Sequence, residues 1–172
     1  MSSITYHFGG KEGLYLACAD YIAQQASAQN AAGFALMQDI GVIDRATAIE
    51  RCLAILDGFA LTMLHPASES WSRFIVREQQ APTEAFDRLY RGMMKAPLEG
   101  FGHLLAIVRP DLPARERRAA IILLFGQALI LRAGRASVCK ALGIDNLGEK
   151  EARLLRSQLR ANSLCILNGG SA

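Results

Sequence analysis

The sequence is poor in the features that build most catalytic and metal centres. Its four cysteines, Cys18, Cys52, Cys139 and Cys165, stand far apart with no CxxC pair, and only three histidines accompany them in 172 residues. That spacing excludes a zinc framework and the disulfide scaffold of small secreted domains. Each cysteine lies among apolar neighbours at helical spacing, where a thiol is expected to pack as a small hydrophobe, and reduced thiols fit a cytoplasmic protein. His65 and His103 fall on or near apolar faces and are expected to be satisfied core histidines rather than ligands. The start of the chain lacks a basic segment followed by an apolar run, so no signal peptide is expected. The longest apolar stretch, Ala119 to Leu131, is broken by Gly126 and Gln127 and is too short to cross a bilayer, so no membrane partner is expected. No run alternates with period two, which argues against strands. No nucleophile–base–orienter set and no metal-ligand spacing appears, so the reading assigns no catalytic residue, no metal and no cofactor.

What the chain has is helical periodicity nearly throughout. With 51% hydrophobic and 20% charged residues it is neither disordered nor of low complexity, and a chain this long buries a sizeable core without staples. The net charge of +3 is compatible with nucleic acid but is spread along the sequence. A first helix is predicted from Lys11 to about Gln38, with Leu14, Ala17, Cys18, Tyr21 and Ile22 on its apolar stripe. A break at Gly41 and an N-cap at Asp44 precede a helix from Arg45 to Leu64, whose face carries Ile49, Cys52, Leu53, Leu56, Ala60, Met63 and Leu64. Pro66 ends it.

A shorter helix follows from about Ala67 to Gln80. Pro82 then stands where it would open the next helix, with Phe86, Leu89, Tyr90, Met93 and Met94 as the stripe. Pro97 is expected to kink or restart that helix before Phe101, Leu104, Leu105 and Val108. Two long helices, Ala114 to Ala133 and Gly148 to Leu167, flank a short one around Val138 to Leu142. The first of the two is apolar nearly all round and must be buried on more than one side. The last carries two stripes, one of Ala152, Leu155, Leu159 and Ile166 and one of Leu154, Ala161, Leu164 and Cys165. The fold class is all-α.

Residues 2–14 read Ser-Ser-Ile-Thr-Tyr-His-Phe-Gly-Gly-Lys-Glu-Gly-Leu. Short hydroxyls at Ser3 and Thr5 suit base edges or phosphates, Tyr6 and His7 can donate to phosphate oxygens, and Lys11 adds charge at a helix N-terminus that itself attracts anions. Ile4 and Phe8, four apart, would anchor this helix to a core. The alternative is an aromatic helix end that only packs. The run resembles the end of the recognition helix, the tight turn and the start of the next helix in TetR-type transcriptional regulators. The resemblance implies a TetR-like helical regulatory domain behind a remnant of the helix-turn-helix domain, with DNA-facing candidates Ser3, Thr5, Tyr6, His7 and Lys11. It divides the chain into a helix-turn-helix remnant over residues 1–28 and a ligand-binding and dimerisation domain over residues 29–172. In that family two helices and the start of a third precede this point. This chain is therefore expected to lack roughly 40 residues of the DNA-binding domain and to bind operator DNA poorly by itself. A mis-called start, a trimmed chain and a natural truncation all remain open.

On the helix after Pro66, Trp71, Phe74, Ile75 and Glu78 share one face, which puts a carboxylate on an apolar stripe. Arg77, Arg73 or Arg132 would pair with it, either as a buried ion pair that fixes helix register or as part of an effector pocket. The run from Trp71 through Phe74-Ile75-Val76-Arg77-Glu78-Gln79 to Pro82-Thr83 and Phe86 resembles the CecR branch of the TetR regulators. The stretch from Phe125-Gly126-Gln127 to Arg132 and Arg135 is similar to that branch's penultimate long helix. Candidate effector-pocket residues are Phe59, Met63, Trp71, Phe74, Arg77, Glu78, Phe101, Phe125, Gln127 and Arg132, with core packing as the alternative role for each aromatic and methionine. The implied function is a cytoplasmic, ligand-responsive repressor acting as a homodimer through its last two long helices, with operator DNA and an unidentified small-molecule effector as partners. A regulatory or dimerisation module without DNA binding is the first alternative and a small all-α enzyme the second. An in-frame coding stretch upstream of Met1 would favour the repressor over the first alternative.

Overall fold

The computed structural model describes residues 7–38 and 41–169, and among them the chain forms helices without a strand. In chain order these are α1 Lys11–Gln29, α2 Ala31–Gln38, α3 Arg45–Leu64, α4 Glu69–Gln80, α5 Glu84–Leu89, α6 Lys95–Val108, α7 Ala114–Ala133, α8 Arg135–Leu142 and α9 Glu149–Asn168. A 3-10 turn, Pro66–Ser68, leads into α4, and a π-helical turn, Tyr90–Met94, joins α5 to α6. No single helix among the described residues is long and apolar enough to cross a membrane.

Helix α3 is the hub. Asp44 starts it by accepting the Thr47 N–H at 2.7 Å, which satisfies one of the free donors of the first turn. Its predicted apolar face is in the core, with Ala48, Cys52, Leu56 and Ala60 fully buried. Helix α9 runs antiparallel to it, as three contacts show. Arg45 donates to the Leu167 carbonyl, while Arg160 pairs with Glu50 and Arg156 with Asp57. Arg45 also donates to the Val108 carbonyl at 3.0 Å, fixing the end of α6 beside the start of α3. Helix α7 lies parallel to α3. Phe125 meets Phe59 edge-on at 5.2 Å, and further along Arg132 reaches the carbonyls of Met63 and His65. Helix α1 runs parallel to α5 and the π turn, tied by Arg88 to Asp20 and by Ser27 to the Gly92 carbonyl. Gly92 is needed there, since a Cβ would stand 2.8 Å from that of Ala23.

The structure corrects several expectations. The first helix is broken at Asn30, and its buried face is Ala19, Ile22, Ala23 and Ala26 rather than the stripe through Cys18 and Tyr21. Tyr21 is 62% exposed and Cys18 is exposed. Alanines carry this interface, so a stripe drawn through the larger side chains rotates away from it. Pro82 does not open α5. Thr83 caps it, its hydroxyl accepting the Ala85 N–H at 3.2 Å. The kink at Pro97 takes the form of the π turn just upstream, in which the Lys95 N–H reaches back five residues to Tyr90. A proline removes one ladder bond and crowds the carbonyl four residues before it, which a widened turn relieves. That turn leaves Tyr90 exposed and Phe86, Met93 and Met94 only half-buried, so the predicted stripe reduces to Leu89 with Ala85. His65 and His103 are exposed, and His65 caps the Ala67 N–H through Nδ1 at 3.1 Å. Of the cysteines only Cys52 and Cys139 are buried.

Candidate functional site

The front turn is the first place where chemistry and geometry meet. His7 and Phe8 end a helical turn, and Gly9 and Gly10 cross to α1 with φ of 71° and 126°, in the region that favours glycine. Gly13 is constrained by approach instead, because a Cβ there would lie 1.7 Å from the Phe8 carbonyl oxygen. Three glycines thus fix the angle between the preceding helical turn and α1. His7 and Lys11 are both exposed beside this turn. Ser3, Thr5 and Tyr6, the other DNA-facing candidates, lie outside the described residues, as does Ile4.

Below that turn α1 is pinned to α4 and α5 through Glu78, which has no exposed surface. One carboxylate oxygen accepts the Tyr15 hydroxyl at 2.6 Å; the other accepts the Thr83 hydroxyl at 2.8 Å and the Thr83 N–H at 3.0 Å. Burial pushes this carboxyl upward, but the three donated bonds and the nearby Arg77 charge outweigh it and hold the group below its ordinary range. The same bond raises the Tyr15 phenol, with burial adding to the effect. The Tyr15 ring lies 4.6 Å from that of Phe74 at a tilt of 32°, and the Arg77 guanidinium lies 5.4 Å from the Tyr15 ring centre. The expected ion pair is therefore replaced by a hydroxyl and amide cradle. Arg77 faces the tyrosine ring, Arg73 pairs with Glu69 at 3.0 Å, and Arg132 is occupied at the end of α3.

The ten pocket candidates fall into two groups. Phe74, Arg77 and Glu78 belong to the α1–α4–α5 junction just described. Phe59, Phe101 and Phe125 form an edge-on trio from α3, α6 and α7, with centroids 5.2 and 5.1 Å apart about Phe125. Met63 and Trp71 are buried, and Arg132, 9% exposed, closes the C-terminus of α3 with bonds of 2.9 and 2.6 Å to its last carbonyls. Burial, reinforced by the neighbouring Arg135 charge, keeps the Arg132 guanidinium below its ordinary value. Gln127 is half-buried with an Nε2 that is sealed from solvent and unpartnered. Two surface hollows lie outside the trio. One adjoins the junction, lined by Lys11, Tyr15, Arg77 and Thr83; the other lies between α3 and α9, lined by Glu50, Asp57, Arg156 and Arg160.

Sequence reading missed Tyr15, Thr83 and Gly13. Tyr15 fell off the stripe drawn from larger apolar side chains, whereas the Pro82-Thr83-Glu84 sequence carried a readable N-cap signal.

Comparison with known proteins assigns this architecture. Residues 48–170 match the family model of the HTH-type transcriptional dual regulator CecR, C-terminal domain. The chain belongs to the CecR family of TetR-type regulators. It is 28% identical over 180 aligned positions to the HTH-type transcriptional dual regulator CecR of Shigella flexneri, an alignment that covers 98% of this chain and 78% of that protein. The family is one of transcription regulators rather than enzymes. The matched residues take in α4 to α9 whole and most of α3, and so include Glu78, Thr83 and the aromatic trio.

Proposed function

We propose that this chain is the sensing and pairing part of a ligand-controlled transcriptional repressor that works as a homodimer. The observation that carries the reading is the unburied apolar side of α7, with Leu154 exposed on α9. Ile122 and Leu123 are each 65% exposed, Leu129, Ile130 and Leu154 are exposed as well, and the opposite sides of the same helices sit in the core. A monomer rarely leaves four large apolar side chains of one helix face in water. A two-fold pairing of these helices into a four-helix interface removes it.

Operator DNA is read by the segment that ends in the glycine turn, with Ser3, Thr5, Tyr6, His7 and Lys11 as its DNA-facing residues. The Glu78 cradle makes α1 move with α4 and α5, so a ligand that shifts the bundle also shifts the segment α1 carries. A ligand acts only through its differential affinity for the two arrangements. The effector is proposed to lie among α3, α4, α6 and α7, near Phe59, Met63, Trp71, Phe101, Phe125, Gln127 and Arg132. Phe74, Arg77 and Glu78 serve as the link to α1.

The test uses a protein with the two helices expected ahead of this point in TetR-type regulators supplied in front of Ser3. From a random duplex library it should enrich an inverted repeat whose half-sites lie about one helical turn apart. Enrichment of a single asymmetric site would contradict the dimeric reading, and no enrichment would contradict DNA recognition.

A further inference from the structure

The glycine at the middle of α7 has no use inside its own chain. Gly92 and Gly13 stand where a Cβ would collide with a neighbour, but a Cβ added at Gly126 would meet nothing within 4 Å. Its φ is not positive either, so the backbone does not call for glycine. Within one chain Gly126 only weakens the helix.

The residues around it are ordered. Between Ala119 and Ala133 the exposed residues of α7 are Ala119, Ile122, Leu123, Leu129, Ile130 and Ala133, with half-buried Gly126 at their centre. Counted outward from Gly126 in either direction, the order is the same: leucine at three positions, isoleucine at four, alanine at seven. Spacings of three and four put side chains on neighbouring turns of one face, and a spacing of seven returns to within about 20° of the starting line. The face is therefore symmetric about Gly126. A shallow line of Ala119, Gly126 and Ala133 runs down its middle, and each interval holds one Ile–Leu pair, astride that line.

A face of this kind fits a second copy of itself. In a two-fold interface, where residue i meets j, j also meets i. With two α7 helices laid antiparallel and the axis at Gly126, Ile122 meets the partner's Leu129, Leu123 meets the partner's Ile130, and bare backbone meets bare backbone. Charge selects this direction. No charged side chain is exposed between Ala119 and Ala133, whereas Arg115, Glu116 and Arg118 form an exposed, net positive group at the start of the helix alone. A parallel pair would bring the two positive groups together. An antiparallel pair holds them at opposite ends and opposes the helix dipoles.

We propose that α7 pairs antiparallel with α7 of a second copy and crosses it at Gly126, where the missing side chain lets the two backbones approach. This rests on the homodimer reading and names the axis of that dimer.

The test compares dissociation of the native chain and its variants by sedimentation across a range of concentrations. Gly126→Leu should keep the helical spectrum, because the single chain has room for the side chain, and should dissociate at least tenfold more readily. Gly126→Ala favours the helix itself, so its smaller weakening in the same direction cannot come from a damaged fold. Direction is read by cross-linking, with the exposed Cys18 and Cys165 changed to serine. Oxidation should join Ile122→Cys chains to Leu129→Cys chains in a mixture. Neither should link to itself, since two copies of residue 122 would stand roughly 12 Å apart along the helices, beyond a disulfide's reach. Self-linkage of Ile122→Cys, or no linkage in the mixture, would overturn the antiparallel crossing. A native dimer that both Gly126 variants leave equally tight would overturn the crossing point while the homodimer reading stands. A native chain that is monomeric at every concentration would overturn both.

Discussion

At the scale of single residues, Glu78 is the group whose chemistry is most exactly specified by its surroundings. Its carboxylate is buried and takes three hydrogen bonds from Tyr15 and Thr83. Bonds to a charged acceptor contribute about 1.5–3 kcal/mol each, and losing one inside a sealed site costs the desolvation as well. Tyr15→Phe is therefore expected to lower unfolding stability by roughly 1.5–3 kcal/mol, read from denaturant midpoints. A change below a few tenths would show that the bond does not form. The pH dependence follows from the same geometry. The folded carboxyl sits below its ordinary value of 4.5, so its contribution is complete above that value and disappears as the pH falls below it through the folded value. Glu78→Gln should flatten the acid limb of the stability profile, and an unchanged limb would contradict the assignment. Thiols give a second residue-level check. Burial pushes Cys52 up to about 12, so it should stay unlabelled by thiol reagents until the protein unfolds. Cys18 should react in the native state, with Cys165 slowed by the proposed pairing of α9.

Residue chemistry was legible in the sequence only in part, and Glu78 shows where it stopped. Helical spacing placed it correctly on the buried face with Trp71, but the partner was expected to be an arginine. Charge rules favour an opposite charge, yet a hydroxyl from a helix 63 positions away needs no charge signature. Arg132 was one of the arginines expected to pair with Glu78, whereas its partners are backbone carbonyls that no sequence pattern marks.

At the scale of elements, the long apolar periods of α3, α6 and α7 were readable because packing alone decides them. Phe101, Leu104, Leu105 and Val108 are all buried as the spacing predicts. Errors gathered where small residues or special backbone govern: the alanine face of α1, the cap at Thr83 and the π turn before Pro97. The turn ahead of α1 belongs to this class. Gly13→Ala sets a Cβ against the Phe8 carbonyl, so the 7–10 turn must shift while the bundle keeps its core. Amide exchange should accelerate from Phe8 to Leu14, whose N–H donates to Gly10 at 3.1 Å, with the global melting temperature nearly unchanged. Exchange at the native rate would show that the turn tolerates the side chain.

At the scale of the whole molecule, the account turns on a surface. One side of α7 carries Ile121, Leu124, Ala128 and Leu131 into the core, and the other leaves Ile122, Leu123, Leu129 and Ile130 outside. The sequence indicated this much, since a helix apolar all round needs two partners and one chain supplies only one. Leu123→Glu places a charge in the proposed interface and should give a folded monomer with an unchanged helical spectrum. An unaltered association state in this variant would remove α7 from the interface. The most direct measurement is light scattering on the native protein across a range of concentrations. The account predicts a species of twice the chain mass that persists on dilution, and a single-chain mass at every concentration would contradict it.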